Sequence, residues 1–230
     1  MSELVQRRVT ALGQSANQTR LQRVLTRIVA EPNLHARMVN TLARLEYVGV
    51  RKMLKSRRAE QLDLDGLQHM LDEAVHALRL KKAATALAAD VQSVATFSDG
   101  DTLAGDEGEQ YFQSLDRSAE GRLARVALDE SARAEANYLL TSAAIEVRAQ
   151  VFYPLYDGIL KAAAAPFSVA AIMKDEDRHL AEMSEQLAAI LPDWQAHLEA
   201  VLDDEDRLFS AFITAIENAA DSAKAAQPAA

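Results

Sequence analysis

The pattern of hydrophobic and polar positions along this chain is that of helices. Apolar residues recur three or four positions apart through most of the sequence, and no stretch shows the apolar–polar alternation of a half-buried strand. Hydrophobic residues make up 49% of the chain, with only 8 Gly and 5 Pro to interrupt helices. The sequence therefore predicts an all-α protein.

Start and stop signals divide this pattern into six long helices and one short helix. Pro32 can begin the second helix, because proline is tolerated in the first helical turn. The segment DLDG at 63–66 and Ser168 are helix-cap signals, and Pro154 is expected to bend the helix that contains it. The expected helices span 2–29 (with a weak point at 13–17), 32–59, 65–93, 110–128, 131–163, 169–190 and 193–220.

These helices are ordered as a pair, a long connection and a second pair, with one further helix at each end. The connection contains the stretch SDGDTLAGDEGE at 98–109, which we expect to be a solvated loop. This order fits a four-helix bundle with one long crossover. We expect a single domain over 1–230, with a bundle core at about 33–190, a crossover at about 95–130 and additional helices at about 2–29 and 193–220.

Composition excludes several classes of chemistry and location. The chain has no cysteine, which rules out disulfides, cysteine-based zinc sites, iron–sulfur clusters and thiol catalysis. It has no run of eighteen apolar residues that could cross a membrane. The N-terminal stretch MSELVQRRVTALGQ also lacks the apolar core of a signal peptide. A cytoplasmic location is the expectation.

Charge is distributed unevenly along the chain. Residues 1–60 carry 12 Lys and Arg against 4 Asp and Glu, whereas residues 61–230 carry 13 against 30. The favoured interpretation is that the two parts neutralise each other within the fold. The alternative is an anionic partner such as RNA on the N-terminal third, although no interleaved aromatic residues support nucleic-acid binding there.

A seven-residue pattern, Met-x-Asp-Glu-x-x-His, occurs twice, as MLDEAVH at 70–76 and as MKDEDRH at 173–179. Residues three apart in a helix share one face, so the Glu and His of each copy can direct an oxygen and a nitrogen at one point. The chain has five His, and two of them carry this full pattern. We therefore interpret the repeat as two copies of a metal-ligand pair rather than two solvated helix faces.

Two more carboxylates on the preceding helices would complete such a site. Glu46 lies 27 residues before Glu73, and Glu146 lies 30 residues before Glu176. Both stand among apolar residues, where an unpaired carboxylate is costly to bury, although a surface position remains the alternative. The candidate metal ligands are Glu46, Glu73, His76, Glu146, Glu176 and His179.

This set resembles the ferritin-like di-iron carboxylate superfamily, whose bundles use one Glu from each of two helices and Glu-x-x-His from the other two. Oxygen ligands with only two nitrogens suit iron or manganese better than copper, so two iron ions are expected, with manganese as the alternative. The resemblance also implies that Asp72 orients His179 and that Asp175 orients His76. Solvent-facing aspartates are the alternative.

Four further residues near these motifs each have two interpretations. Tyr153 follows Glu146 by seven residues, so it is either a redox-active or hydrogen-bonding neighbour of the centre or a packing residue. His69 is either a neighbour of the site or, the favoured interpretation, a core histidine. Gly49 and Ala149 each follow a ligand Glu by three residues. Their small size either admits O₂ or a substrate or allows close helix packing.

The resemblance implies a dinuclear enzyme that activates O₂ or peroxide, an oxidase or hydroxylase with an external reductant and an unnamed substrate. Rubrerythrins need a Cys-rich module, and the small subunit of ribonucleotide reductase needs a tyrosine where this chain has Leu80. Classical ferritins are shorter, and their second metal site is poorer in His. The alternatives are a ferroxidase or iron-handling protein and a non-enzymatic, metal-stabilised helical binding module. Oligomeric state, a homodimer included, stays open.

Overall fold

The computed structural model describes residues 3–56 and 62–225, and within these ranges the secondary structure consists of helices without a strand. Two short 3-10 turns, Val91–Val94 and Asp99–Asp101, lie between the fourth and fifth α-helices. The predicted all-α class is confirmed. The α-helices are α1 Glu3–Gly13, α2 Ala16–Val29, α3 Pro32–Ser56, α4 Leu64–Leu87, α5 Gly105–Leu123, α6 Glu130–Ala162, α7 Ala170–Ile190 and α8 Trp194–Ala225.

Two helix pairs position the candidate site. Helix α3 packs along α4, α6 packs along α7, and the pairs meet through contacts of α3 with α6 and of α4 with α7. Helices α5 and α8 pack against each other and against α6, and α1 and α2 contact α6 and α8. No helix within the described ranges combines the length and apolarity needed to cross a bilayer.

The prediction of one continuous helix over residues 2–29 is wrong. The structure has two helices, α1 and α2, separated at the predicted weak point. Ser15 precedes α2, and its side chain accepts a hydrogen bond from the backbone N–H of Gln18 at 3.2 Å. Serine competes in this way for backbone donors and begins a new helix rather than continuing the old one.

The boundaries around the crossover also differ from the prediction. Helix α4 ends at Leu87 rather than at 93, and α5 begins at Gly105, inside the predicted loop at 98–109. Three α3 side chains hold this connection by its backbone. Asn40 Nδ2 donates to the carbonyls of Thr96 and Asp101 at 2.8 Å. Thr41 Oγ1 donates to the carbonyl of Leu103 at 2.8 Å, and Arg37 Nε donates to the carbonyl of Thr102 at 3.0 Å. These contacts between distant parts of the chain cannot be read from local composition.

The remaining boundaries need smaller corrections. The side chain of Ser168 accepts a hydrogen bond from the N–H of Ala170 at 3.1 Å, but the residue directly before α7 is Val169, whose side chain makes no capping bond. Helix α6 continues through Pro154, and α8 extends beyond the predicted end at 220. The predicted residues 57–59 of the second helix lie outside the described ranges.

The uneven charge is largely complementary within the fold. Cations of residues 1–60 pair with carboxylates of residues 61–230, both on α8 and on α5. Because most of these pairs are exposed or half-exposed, each is worth about 0–1 kcal/mol. The pairs include Arg7–Glu199 at 3.0 Å, Arg8–Asp203 at 2.7 Å, Arg20–Glu217 at 2.6 Å, Arg27–Asp221 at 2.8 Å, Arg44–Asp106 at 2.7 Å and Arg51–Glu109 at 3.1 Å.

Candidate metal centre

The structure brings all six candidate ligands together between the two helix pairs. Each of the four helices α3, α4, α6 and α7 contributes at least one of them, and their side chains are at most 11% exposed. The ligands are Glu46 on α3, Glu73 and His76 on α4, Glu146 on α6, and Glu176 and His179 on α7.

These six residues, together with His69, form two groups that could each hold a metal ion. In each group, four side chains offer one ligand atom apiece, and these atoms lie within 4.8 Å of one another. Glu73 belongs to both groups. The first group is His69, Glu73, Glu146 and His179, and the second is Glu46, Glu73, His76 and Glu176.

Besides Glu73, the carboxylate of Glu176 lies between the two repeat histidines, His76 and His179. One oxygen is 3.4 Å from Nδ1 of His76, and the other is 3.2 Å from Nδ1 of His179. At the flanks, an oxygen of Glu46 is 3.8 Å from Nδ1 of His76, and an oxygen of Glu146 is 3.7 Å from Nδ1 of His179. The two halves of the chain thus contribute corresponding residues to corresponding places.

Each repeat histidine points its other nitrogen at an aspartate of the opposite helix. Nε2 of His76 is 3.1 Å from Asp175, and Nε2 of His179 is 3.3 Å from Asp72. These are the two pairs that the resemblance implies. An imidazole that donates Nε2–H to a carboxylate keeps a lone pair on Nδ1, the nitrogen that faces the cluster in both residues.

The donor set fits metal ions. Nδ1 of His76 is buried and has no hydrogen-bond partner among the described residues, although oxygens of Glu46 and Glu176 lie 3.8 and 3.4 Å from it. Burial, together with repulsion from Glu46 and Glu176, raises the pKa of Glu73 well above its ordinary value. Burial and Glu176 do the same to the pKa of Glu146. Without a cation the site therefore holds two carboxyl groups, those of Glu73 and Glu146, that resist ionisation, and bound cations would offset this cost.

His69 is the group member that sequence reasoning did not favour. Its Nε2 lies 3.3 Å from Glu73 and 3.8 Å from Glu146, and its ring stacks on that of His179 with centroids 3.9 Å apart. The available signal was its position four residues before Glu73, on the same helix face. The corresponding residue of the second half is Ile172, so the two groups are not equivalent.

Tyr153 contacts the second group. Its hydroxyl donates a hydrogen bond to Glu46 across the helix pairs, although Tyr153 and Glu146 are on the same helix. Burial, followed by the charge of Glu46, raises the pKa of Tyr153 well above its ordinary value. The phenol therefore stays protonated and fixes one oxygen of Glu46.

Arg178 is a neighbour of the site that the sequence reasoning missed. It donates a hydrogen bond to Asp72, which also accepts one from Gln68 at 2.8 Å. Burial alone would raise the pKa of Asp72, but the hydrogen bonds from Gln68, Arg178 and His179 lower it. Asp72 is thus held as an anion beside its histidine.

A cavity of about 640 Å³ reaches the carboxylates from one side, between α3, α5, α6 and α8. Gly49 and Ala149 both line it. A Cβ atom at Gly49 would lie 3.1 Å from a carboxylate oxygen of Glu73. Gly49 therefore borders open space and also permits the close approach of α3 to Glu73, which combines the two interpretations given for this position.

No protein-family model, curated protein or solved structure matches this chain.

Removing the negative charge of Asp72 or Asp175 should weaken metal binding. We expect Asp72→Asn and Asp175→Asn each to lower affinity by about 10–100-fold, because an amide no longer fixes the histidine tautomer as a carboxylate does. Metal titrations of both variants, with helix content followed by circular dichroism, measure this. Unchanged titration curves would show that the two aspartates are only polar neighbours.

Proposed function

We propose that α3, α4, α6 and α7 form a ferritin-like four-helix bundle around a dinuclear metal centre, and that this centre activates O₂ or peroxide to oxidise or hydroxylate an organic substrate. The observation that carries the proposal is the paired arrangement of buried ligands. The two groups share Glu73, and each contains one repeat histidine whose Nδ1 faces the other ligands. The Nε2 of each repeat histidine faces an aspartate.

Iron is the favoured metal, with manganese as the alternative. The two groups together offer four carboxylates and three imidazoles, a set of mainly hard oxygen ligands that suits these ions. Four carboxylates also balance the charge of two divalent cations. When bound, such a pair of ions supplies the redox chemistry of O₂ or peroxide activation.

The protein's own residues hold, orient and shield this centre. Tyr153 restrains one oxygen of Glu46, whereas Glu176 lies between both repeat histidines and can serve both positions. Much of the wall of the adjacent cavity is apolar, and the cavity leaves room beside the carboxylates for a small molecule. Because the chain has no cysteine-based redox group, reducing equivalents must come from an external donor.

Adding Fe(II) stepwise to the metal-free protein in air, while ultraviolet absorbance and O₂ uptake are followed, tests the proposed activity. We expect oxidation to saturate near two irons per chain, about the content of a dinuclear site, and chemical re-reduction to restore O₂ uptake. Continued uptake of tens of irons without precipitation would instead indicate an iron-storage protein. Metal binding without any oxidation would indicate a helical module that metal only stabilises.

A further inference from the structure

The cavity beside the carboxylates has the features of a substrate site. Its volume of about 640 Å³ lies within the range of about 300–1,000 Å³ that is usual for small-molecule pockets. Its lining includes all four carboxylates of the candidate metal centre. Apolar side chains form much of the wall, among them Leu42, Leu45, Ile145, Phe152, Phe209 and Phe212.

The wall also contains two buried hydrogen-bond donors that have no partner in the part of the chain that the structure describes. The hydroxyl of Thr141 is one, and Nη1 of Arg148 is the other. Buried donors of this kind are normally paired with protein, water or ligand. Arg148 is already paired with the carboxylates of Glu205 and Asp206, so its remaining N–H suits a neutral acceptor rather than a third anion.

Cations lie at the exposed end of the cavity, on the last turns of α3. Arg51 pairs with Glu109 at 3.1 Å, and Lys52 pairs with Asp116. Lys55 also lines the cavity and is exposed, and it has no ion-pair partner in residues 3–56 and 62–225. Among the described residues that line this end, three cations thus face two carboxylates, which gives them a net positive charge.

We propose that the cavity binds an amphipathic organic anion, with its anionic group near Lys55 and its apolar body extending to the carboxylates. Lys55 follows Glu46 by nine positions on α3, which corresponds to about 14 Å at 1.5 Å per residue. An alkyl or aryl carboxylate of about that length would place its apolar end beside the metal centre. The assignment of the apolar end as the reacting end rests on the proposed function. The preference for an amphipathic anion is independent of that function.

Binding to the metal-free protein tests the preference without interference from metal–carboxylate bonds. The probes are decanoate, decanol and decyltrimethylammonium, which share a chain and differ in charge, each used below its micelle concentration in calorimetric titrations. We expect decanoate to bind most tightly and decyltrimethylammonium least tightly. Equal affinity for the three probes, or binding of none, would overturn the proposal.

Substitutions locate the binding. Lys55→Glu should weaken decanoate binding by about tenfold, since it removes one favourable charge contact and adds an unfavourable one, and should leave decanol unaffected. Lys82→Glu, at an exposed position outside the cavity, is the matched control. If the two variants bind decanoate equally, the cationic end plays no part and the proposal fails.

A second pair of variants fills the cavity. Ala149→Phe and Ile145→Trp add bulk to its wall and should each weaken all probes by at least about tenfold, with helix content checked by circular dichroism. Unchanged decanol binding in a folded variant would place the apolar body elsewhere and contradict the proposal. Metal stoichiometry, measured separately, distinguishes this failure from a failure of the proposed metal centre.

Discussion

Replacing Glu73 with glutamine is expected to abolish metal binding at both positions, whereas replacing Glu46 with glutamine should abolish it at only one. Glu73 contributes an oxygen to both groups of ligands, and Glu46 to the second group alone. An amide is a much weaker ligand than a carboxylate. Glu73→Gln should therefore lower metal affinity by more than about 100-fold at each position. This loss is larger than the one expected from replacing an aspartate that only contacts a ligand histidine.

The measurement is metal content after anaerobic loading and removal of weakly bound ions, with Glu46→Gln as the matched control. Folding of the metal-free variants is expected to be intact, because a neutral amide relieves repulsion among the buried carboxyl groups. Thermal unfolding of the metal-free proteins checks this point. If Glu73→Gln retains as much metal as Glu46→Gln, Glu73 is not shared and the proposed dinuclear arrangement is wrong.

Replacing Glu205 with leucine is expected to lower the free energy of unfolding by about 3–5 kcal/mol. Glu205 on α8 pairs through two hydrogen bonds, at 2.8 and 2.7 Å, with Arg148 on α6. The side chains are 0% and 5% exposed, respectively. The hydroxyl of Tyr111 also donates to Glu205, at 2.5 Å. Among the described residues, the substitution leaves the buried guanidinium with Asp206, at 2.9 Å, as its one charged partner.

Urea unfolding of the metal-free protein measures this loss. The double variant Arg148→Leu/Glu205→Leu should recover most of the stability, because it removes both charges together. Glu199→Leu, which breaks the exposed pair with Arg7, should cost less than about 1 kcal/mol. A loss in Glu205→Leu no larger than that of Glu199→Leu would show that the buried pair does not hold α6 against α8.

Much of the candidate site could be predicted because helical periodicity carries spatial information. The spacing of Glu73 and His76, repeated at Glu176 and His179, requires a shared helix face whatever the tertiary packing. The ligands on the other two helices could be predicted because Glu46 and Glu146 each lie among apolar residues, where an unpaired carboxylate is costly to bury. The repeat thus predicted four of the six candidate ligands, and the apolar context predicted the other two.

The parts that could not be predicted depend on contacts between distant residues. His69 resembled a core histidine because nothing local distinguishes a buried ring from one that stacks on His179. Nothing local in the sequence marks Arg178, which meets Asp72 only through the packing of α7 against α4. The start of α5 within an Asp- and Gly-rich segment likewise follows contacts that α3 makes with the connection before it.

The central claim, two metal positions built from the two halves of the chain, is tested most directly by metal stoichiometry. Protein reconstituted anaerobically with Fe(II) and freed of excess metal should contain about two ions per chain, as a two-metal site requires. His76→Ala should lower this content to about one, because the first group of ligands does not include His76. A stable content of one ion per chain that is insensitive to His76→Ala would contradict the account.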